Sequence, residues 1–325
     1  MITYLTDSKS ILKMDAFLDL NMSSQNLKED LKNWVGGELY IQKSLYDTIR
    51  SLPNYNIIKI DESYDIDILE KSDIIICPGW KNIDSSWERY SRKMYSYYYF
   101  ESQYPNFKNK TINPWRYNNK NFCIPITPIK IPQSNFNKEY NIKGLLIGKC
   151  ISHVVSKNKQ EKLLSLINNL ETNLFTTLRP LNNFEILPKY ILPCQDKCLD
   201  TLKKIFDNQK IYNLGILNVL DFRSLLLGIK YAIFYCGAFA PPTIIECLQS
   251  ECLILATSNV IPKDLLDNQN IYLIDNLTYK EINNLIFKIE SGEIKFKKEH
   301  YPSFYTEKNK INMINNLVYH HLKNN

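Results

Sequence analysis

Tyr231-Ala232-Ile233-Phe234-Tyr235-Cys236-Gly237-Ala238-Phe239-Ala240-Pro241-Pro242-Thr243-Ile244-Ile245-Glu246-Cys247-Leu248 is the stretch from which the fold is read. It opens as a short apolar run, the pattern of a strand buried on both faces of a parallel sheet. Gly237, Ala238, Phe239 and Pro241 then form a tight turn with little side-chain bulk. Pro242 stands near the first position of a helix, where the missing N–H is no loss. The opening turns of that helix carry Thr243 and Glu246. Backbone amides at such a helix start can hold a phosphate, and a glutamate one turn in can accept hydrogen bonds from both hydroxyls of a ribose. A plain strand–turn–helix with a solvent-facing glutamate has the same local pattern.

The alternation continues on both sides. Downstream of residue 142 the pattern predicts strands at Lys143–Gly148, Leu174–Leu178, Ala232–Cys236, Cys252–Ala256 and Ile271–Ile274. Helices are predicted at Lys157–Leu170, Leu199–Phe206, Asp221–Leu227, Pro242–Ser250, Tyr279–Ile289 and Lys308–Lys323. Upstream, strands are predicted at Ile2–Thr6, Tyr55–Ile60 and Asp73–Cys77, with a helix at Leu39–Leu52 ended by Pro53. This is βαβ logic, and it implies an α/β protein with parallel, doubly wound sheets. Residues 123–142, with Pro125, Pro128 and Pro132 followed by polar residues, suit an interdomain connection. The expectation is an N-terminal Rossmann-like domain over 1–132, a linker over 133–142, and a second such domain over 143–325. The last helix is a candidate to pack back on the first domain. Two domains of this kind face each other across a cleft lined by the carboxyl ends of their strands, where ligands bind.

Gly36-Gly37-Glu38-Leu39-Tyr40-Ile41-Gln42-Lys43-Ser44-Leu45 is the second informative stretch. It reads as a diglycine turn, a carboxylate and an amphipathic helix. Gly36 and Gly37 let another molecule approach the backbone closely. Glu38 stands in the positive field of a helix N-terminus, where a general base for a polar substrate can be held. The same carboxylate also serves simply to complement the helix dipole. Residues 84–122 are rich in Tyr and Trp. Aromatic faces suit sugar rings, although core packing claims most of them; Trp80 and Trp115 are candidates for a ligand role.

Composition narrows the class. The chain has 325 residues, 44% of them hydrophobic, with a net charge of +6. The charge excess is small and dispersed, which favours anionic ligands and argues against nucleic acid. No apolar run is long enough to span a membrane. Eight cysteines without paired spacing and only four histidines argue against both a zinc site and a disulfide framework.

Taken together, these stretches resemble glycosyltransferase family 18, the α-mannoside β-1,6-N-acetylglucosaminyltransferase V family. Gly215-Ile216-Leu217, Asp221 and the strand–turn–helix from Tyr231 are similar to that family's donor-site region. Gly37-Glu38-Leu39 with Gln42 and Ser44 is similar to its Gly-Glu-Leu-Val-Gln-Trp-Ser. Asn113-Pro114-Trp115, with Asn121-Phe122 and Pro125-Ile126-Thr127-Pro128, is similar to the segment leading into its second domain. The order is kept from about residue 33 to 320.

The resemblance implies a GT-B fold, an inverting mechanism and a UDP-sugar donor, with GlcNAc as the sugar and no cofactor or metal required. The partners implied are a nucleotide-sugar donor and an oligosaccharide or glycoprotein acceptor. Glu38 matches the catalytic base, Glu246 the glutamate that holds the donor nucleotide, Trp115 an acceptor-site tryptophan, and Leu217 the donor region. A cationic or polar group must ease departure of the diphosphate, and Lys149, Ser152 and His153 follow the first strand of the second domain. His153 is equally readable as a structural loop histidine.

The chain departs from the family in the turn Ala238–Pro242 and in a loop cut short around Thr257–Lys263. Both touch the donor pocket, so another UDP-sugar or a GDP-sugar stays open, as does an inactive glycan- or nucleotide-binding protein. The sequence shows no anchor, stem or cysteine-rich extension. That leads to the expectation of a minimal, soluble, cytoplasmic transferase, with an AT-rich coding bias that fits a large virus or an AT-rich microbe.

Overall fold

A computed structural model describes residues 1–15, 36–78, 85–97, 111–114, 122–127, 142–147, 157–177, 203–205, 207–215, 217, 219–236 and 241–324. These fall into two compact units, one running from the N-terminus to about residue 130 and resuming at Pro302, the other spanning Ile131 to Tyr301.

The first unit is built on β1 (Ile2–Thr6), α1 (Ser8–Asp15), α2 (Gly36–Arg50), β2 (Tyr55–Lys59), α3 (Ile66–Lys71), β3 (Ile74–Pro78), β4 (Met94–Tyr97), β5 (Thr111–Asn113) and β6 (Phe122–Cys123). The strands form one parallel sheet in the order β2-β1-β3-β4-β5-β6. The order reverses between β1 and β3, which makes that point the switch where ligands of doubly wound sheets bind. β1 and β3 are buried because helices cover both faces; β3 reads as an unbroken apolar run, and β1 carries Thr3 and Thr6 among its apolar residues. Leu5, Ile75, Cys77 and Met94 pack on one face with Ile58, Leu69, Trp87 and Tyr90.

The second unit holds β7 (Gly144–Leu146), α4 (Lys157–Asn169), β8 (Leu174–Thr176), β9 (Ile211–Asn213), α5 (Val219–Gly228), β10 (Tyr231–Phe234), α6 (Pro241–Gln249), β11 (Leu253–Ala256), β12 (Ile271–Leu273) and α7 (Tyr279–Ser291). Its parallel sheet runs β12-β11-β10-β7-β8-β9. Counted from its own first strand this is the dinucleotide-fold order 3-2-1-4-5-6, with the switch between β7 and β10. Gly144 is required by packing: a Cβ there would lie 2.2 Å from the Tyr231 ring. Thr278 and Glu281 form a capping box on α7, and Gly292 closes it at φ 83°. The final helix, α8 (Glu307–Asn324), belongs to the first unit.

Three expectations are corrected. Gly36 and Gly37 lie in the first turn of α2, which begins at Gly36 and ends at Arg50. The α2 helix is buried on nearly every side from Ile41 to Tyr46, because α8 covers its polar flank. The break taken to start at residue 123 starts later: β6 ends at Cys123, and Ile124, Ile126 and Thr127 are buried in the first unit. Among the described residues no helix is long and apolar enough to cross a membrane, and no His/Cys/Asp/Glu group could hold a metal ion.

Candidate functional site

In the first unit, α2 leads through a short turn into β2, so it runs antiparallel to the strands and starts at their carboxyl edge. Gly36, Gly37 and Glu38 are its first three residues. Glu38 therefore stands at the end of the sheet where ligands bind, on a helix turn whose free N–H groups favour an anion.

Further along α2 a polar cluster fixes the helix. Ser44 Oγ donates to the Thr127 carbonyl at 3.0 Å, and the Thr127 N–H donates back to Ser44 Oγ at 3.0 Å. Lys310 Nζ of α8 donates to the Ser44 carbonyl at 2.5 Å, to Ser44 Oγ at 2.6 Å and to Thr127 Oγ1 at 3.2 Å. Glu307 accepts from Thr48 Oγ1 at 2.5 Å and from Thr127 Oγ1 at 2.7 Å. Burial lowers the Lys310 ammonium to about 7, against the opposing fields of Glu307 and Asp47. The residues that meet here are 83 to 266 positions apart, so no local pattern in the sequence could reveal the cluster.

In the second unit, the carboxyl ends of β7 and β10 are joined by Ile147 N–H donating to the Ile233 carbonyl at 3.0 Å. β10 leads into Tyr235 and then Cys236, which holds φ 53°, in the left-handed region, with its N–H donating to Thr257 Oγ1 at 3.0 Å. A non-glycine residue there is strained, and such strain clusters at ligand sites. Helix α6 begins at Pro241, one residue earlier than expected, so Pro241, Pro242 and Thr243 make up its first turn. Pro242 is buried, Thr243 half-buried, and Glu246 9% exposed. The Glu246 carbonyl accepts from Arg223 Nη1 of α5 at 2.8 Å, and Arg223 Nη2 donates to Gln249 Oε1 at 2.5 Å. This clamp holds α6 in place. Arg223 stood in the sequence beside Asp221, and nothing local marked its role.

The topology thus gathers Pro241, Pro242, Thr243 and Glu246 after β10, at the switch point of the second sheet. Leu217 is half-buried and follows β9 at the far edge of the same sheet, so the topology does not bring it to that point. Trp80, Trp115, Lys149, Ser152, His153, Gly237, Ala238 and Phe239 lie outside the described residues, as do the side chains of Gly36, Gly37, Glu38 and Pro241.

No family model matches the chain, and no curated protein matches it. Solved structures do. AviGT4, a glycosyltransferase involved in avilamycin A biosynthesis, superposes with a TM-score of 0.56 at 10% identity, covering 99% of this chain and 97% of that one. Anabaena Alr3699/HepE, solved in complex with UDP and glucose, gives a TM-score of 0.53 at 10% identity, covering 100% and 99%. Identity this low speaks for fold alone. With the two parallel-sheet α/β units, it defines the chain as a GT-B fold protein.

Proposed function

We propose that the chain is an inverting, metal-independent glycosyltransferase of the family 18 kind, moving GlcNAc from a UDP-sugar to a hydroxyl of a glycan. The observation that carries this reading is the switch point of the second sheet, where β10 leads to a helix start bearing Thr243 and Glu246. A diphosphate suits the positive end of that helix, where Thr243 supplies the N–H that Pro241 and Pro242 lack, and a ribose suits the glutamate one turn later. Glu38 is the base in this reading. It takes the proton of the acceptor hydroxyl as that oxygen attacks the anomeric carbon, and the nucleoside diphosphate leaves from the opposite face. Negative charge on the leaving diphosphate is met by helix N–H groups and a cationic side chain, with Lys149 and His153 as the candidates.

The test is sugar-nucleotide hydrolysis without acceptor or added metal, over a panel of UDP- and GDP-sugars, paired with melting shifts by UDP and GDP. Release of GlcNAc from UDP-GlcNAc in EDTA, with stabilisation by UDP, is the expected result. Stabilisation by GDP alone would reassign the donor, and no nucleotide effect at all would end the transferase reading.

A further inference from the structure

Among the described residues Lys310 is the one charged side chain with no exposure at all. Its ammonium has three N–H donors and three acceptors in reach: the Ser44 carbonyl at 2.5 Å, Ser44 Oγ at 2.6 Å and Thr127 Oγ1 at 3.2 Å. The charges that face it are Glu307 of its own helix and Asp47 of α2, and Asp47 also pairs with Lys43 at 2.6 Å. The segment 124–127 adds no charged group. For stability alone, apolar side chains of the same volume would serve as well or better, because taking a charge out of water costs more than most contacts return. A fully bonded ammonium supplies something that apolar packing does not, which is a fixed direction.

That direction is imposed on α2. Ile41, Leu45 and Ile49 are buried, and Tyr46 packs on Tyr4 of β1 with ring centroids 6.1 Å apart. Such contacts are non-directional: they keep the helix on the sheet but let it slide or roll. Ser44 Oγ is joined to the Thr127 backbone by two bonds of 3.0 Å, yet a hydroxyl turns about its own Cα–Cβ bond. Lys310 holds the α2 backbone as well, at the Ser44 carbonyl. Its third bond reaches Thr127, on a segment laced to the end of β5. There the Ile124 N–H donates to the Asn113 carbonyl and the Ile126 N–H to the Pro114 carbonyl, each at 3.0 Å. Ser44 is six residues on from Glu38, about 9 Å along the helix axis, so a slide or roll at Ser44 is carried to the first turn.

We infer that Lys310 is a positioning residue for the base: its ammonium fixes the height and roll of α2, and thereby the first turn that carries Glu38. The inference deepens the transferase reading and rests on it. Loss of the proton leaves two donors for three acceptors and takes the counter-charge from Glu307. Burial brings that loss down to about pH 7. The same step relieves the cost of burying a charge, so stability rises with pH while alignment worsens. Opposite trends in stability and turnover are the signature, because a group that only held the fold together would move both the same way. A misplacement of about 1 Å at a reacting group is enough for about a hundredfold loss of rate.

The experiment uses the full chain and two readouts. The first is sugar release from the panel of UDP- and GDP-sugars, as kcat and KM across neutral pH, in the wild type, Lys310→Met and Lys310→Met/Glu307→Gln. The double variant removes both charges, so that the Glu307 carboxylate is not left without its partner. Wild-type kcat is expected to fall about tenfold from pH 6 to 8.5 while the denaturation midpoint rises. Both variants should turn over about tenfold or more slowly than the wild type at pH 6, lack the alkaline fall, and keep KM for the donor within about two-fold. The second readout is the amide resonances of Gly36 and Gly37, which should titrate near pH 7 in the wild type and in neither variant. Should a variant fail to fold, the wild-type profile and amide titration decide alone. Turnover and stability rising together, variant kcat within about two-fold of wild type, or Gly36 and Gly37 amides that ignore the titration would each overturn the inference. Those outcomes leave sugar release in place and spare the transferase. No release by the wild type from any donor would remove the transferase reading, and the positioning role would fall with it.

Discussion

Helices α2 and α6 both begin at the carboxyl edge of a parallel sheet, each in its own unit, but they are held there by different means. The α6 helix is fixed locally: Arg223 grips it from α5, only 23 residues back, and Ile244, Ile245 and Leu248 bury its apolar side. The α2 helix is fixed by distant parts of the chain. Its Ser44 and Thr48 bond to Thr127, Glu307 and Lys310, up to 266 residues away. A helix held through a buried lysine that titrates near neutrality is held in a way that changes with pH. In the proposed division of labour, α6 carries nucleotide binding and α2 carries the base.

The largest expected effect separates those two roles. Glu38→Gln should lower turnover by about two to four orders of magnitude, the usual contribution of general acid–base catalysis, and leave the melting shift caused by UDP unchanged. Glu246→Ala should do the reverse, weakening UDP before it slows turnover at saturation. Equal loss in both variants would dissolve the distinction. Gly144→Ala comes next, and it probes the sheet on which α6 rests. The new Cβ would meet the Tyr231 ring at 2.2 Å, and that ring is tethered by its hydroxyl donating to Glu290 Oε1 at 3.0 Å. Overpacking of this kind costs about 1–3 kcal/mol, readable as a lower denaturant midpoint. An unchanged midpoint would mean that the sheet yields more easily than its burial suggests.

How far this arrangement was legible in the sequence depends on how local each part is. β3, β7, β10 and β11 are short apolar runs, β1 is apolar apart from Thr3 and Thr6, and α6 carries its own proline start, so periodicity and punctuation found them. β4, β5 and β6 were missed. They are four, three and two residues long within a tyrosine-rich stretch that shows no clean alternation. The Glu38 position was legible because glycines and a carboxylate mark a helix start within three residues. The burial of Gln42 was not, although its place in a motif was: the strand β1 that packs against this part of α2 through Tyr4 and Tyr46 comes from the start of the chain. Glu307 and Lys310 carried no signal either, since a Lys-Asn-rich helix start looks solvated until it is folded against α2.

The pH dependence of stability sharpens the comparison further. Lys310 has a folded value of about 7 against 10.5 when unfolded, with burial as the main cause. Below pH 7 both states hold the proton, so the penalty for burying the charge is present in full and constant. Between pH 7 and 10.5 the unfolded state holds the extra proton, so stability rises with pH. One pKa unit is worth about 1.4 kcal/mol, so the gain from pH 7 to 8.5 reaches up to about 2 kcal/mol. Chemical denaturation across that range should show it, and Lys310→Met should flatten the rise. A rise that persists in Lys310→Met would place its origin in another group.

The smallest expected effect falls on α6. Arg223→Lys keeps the charge and most of the stem but loses the planar fork that reaches the Glu246 carbonyl and Gln249 Oε1 together. One of the two bonds is lost, at a cost of about 1 kcal/mol, or roughly 2–4 °C in melting temperature. Because the clamp grips the backbone of the residue proposed to hold the ribose, UDP affinity should fall with it, by about three-fold to ten-fold. A drop in melting temperature with UDP affinity intact would mean that Arg223 only stabilises the unit and that α6 holds its binding geometry without it. A drop in both, with Glu38-dependent turnover unchanged at saturating donor, would show α6 and α2 answering to separate supports.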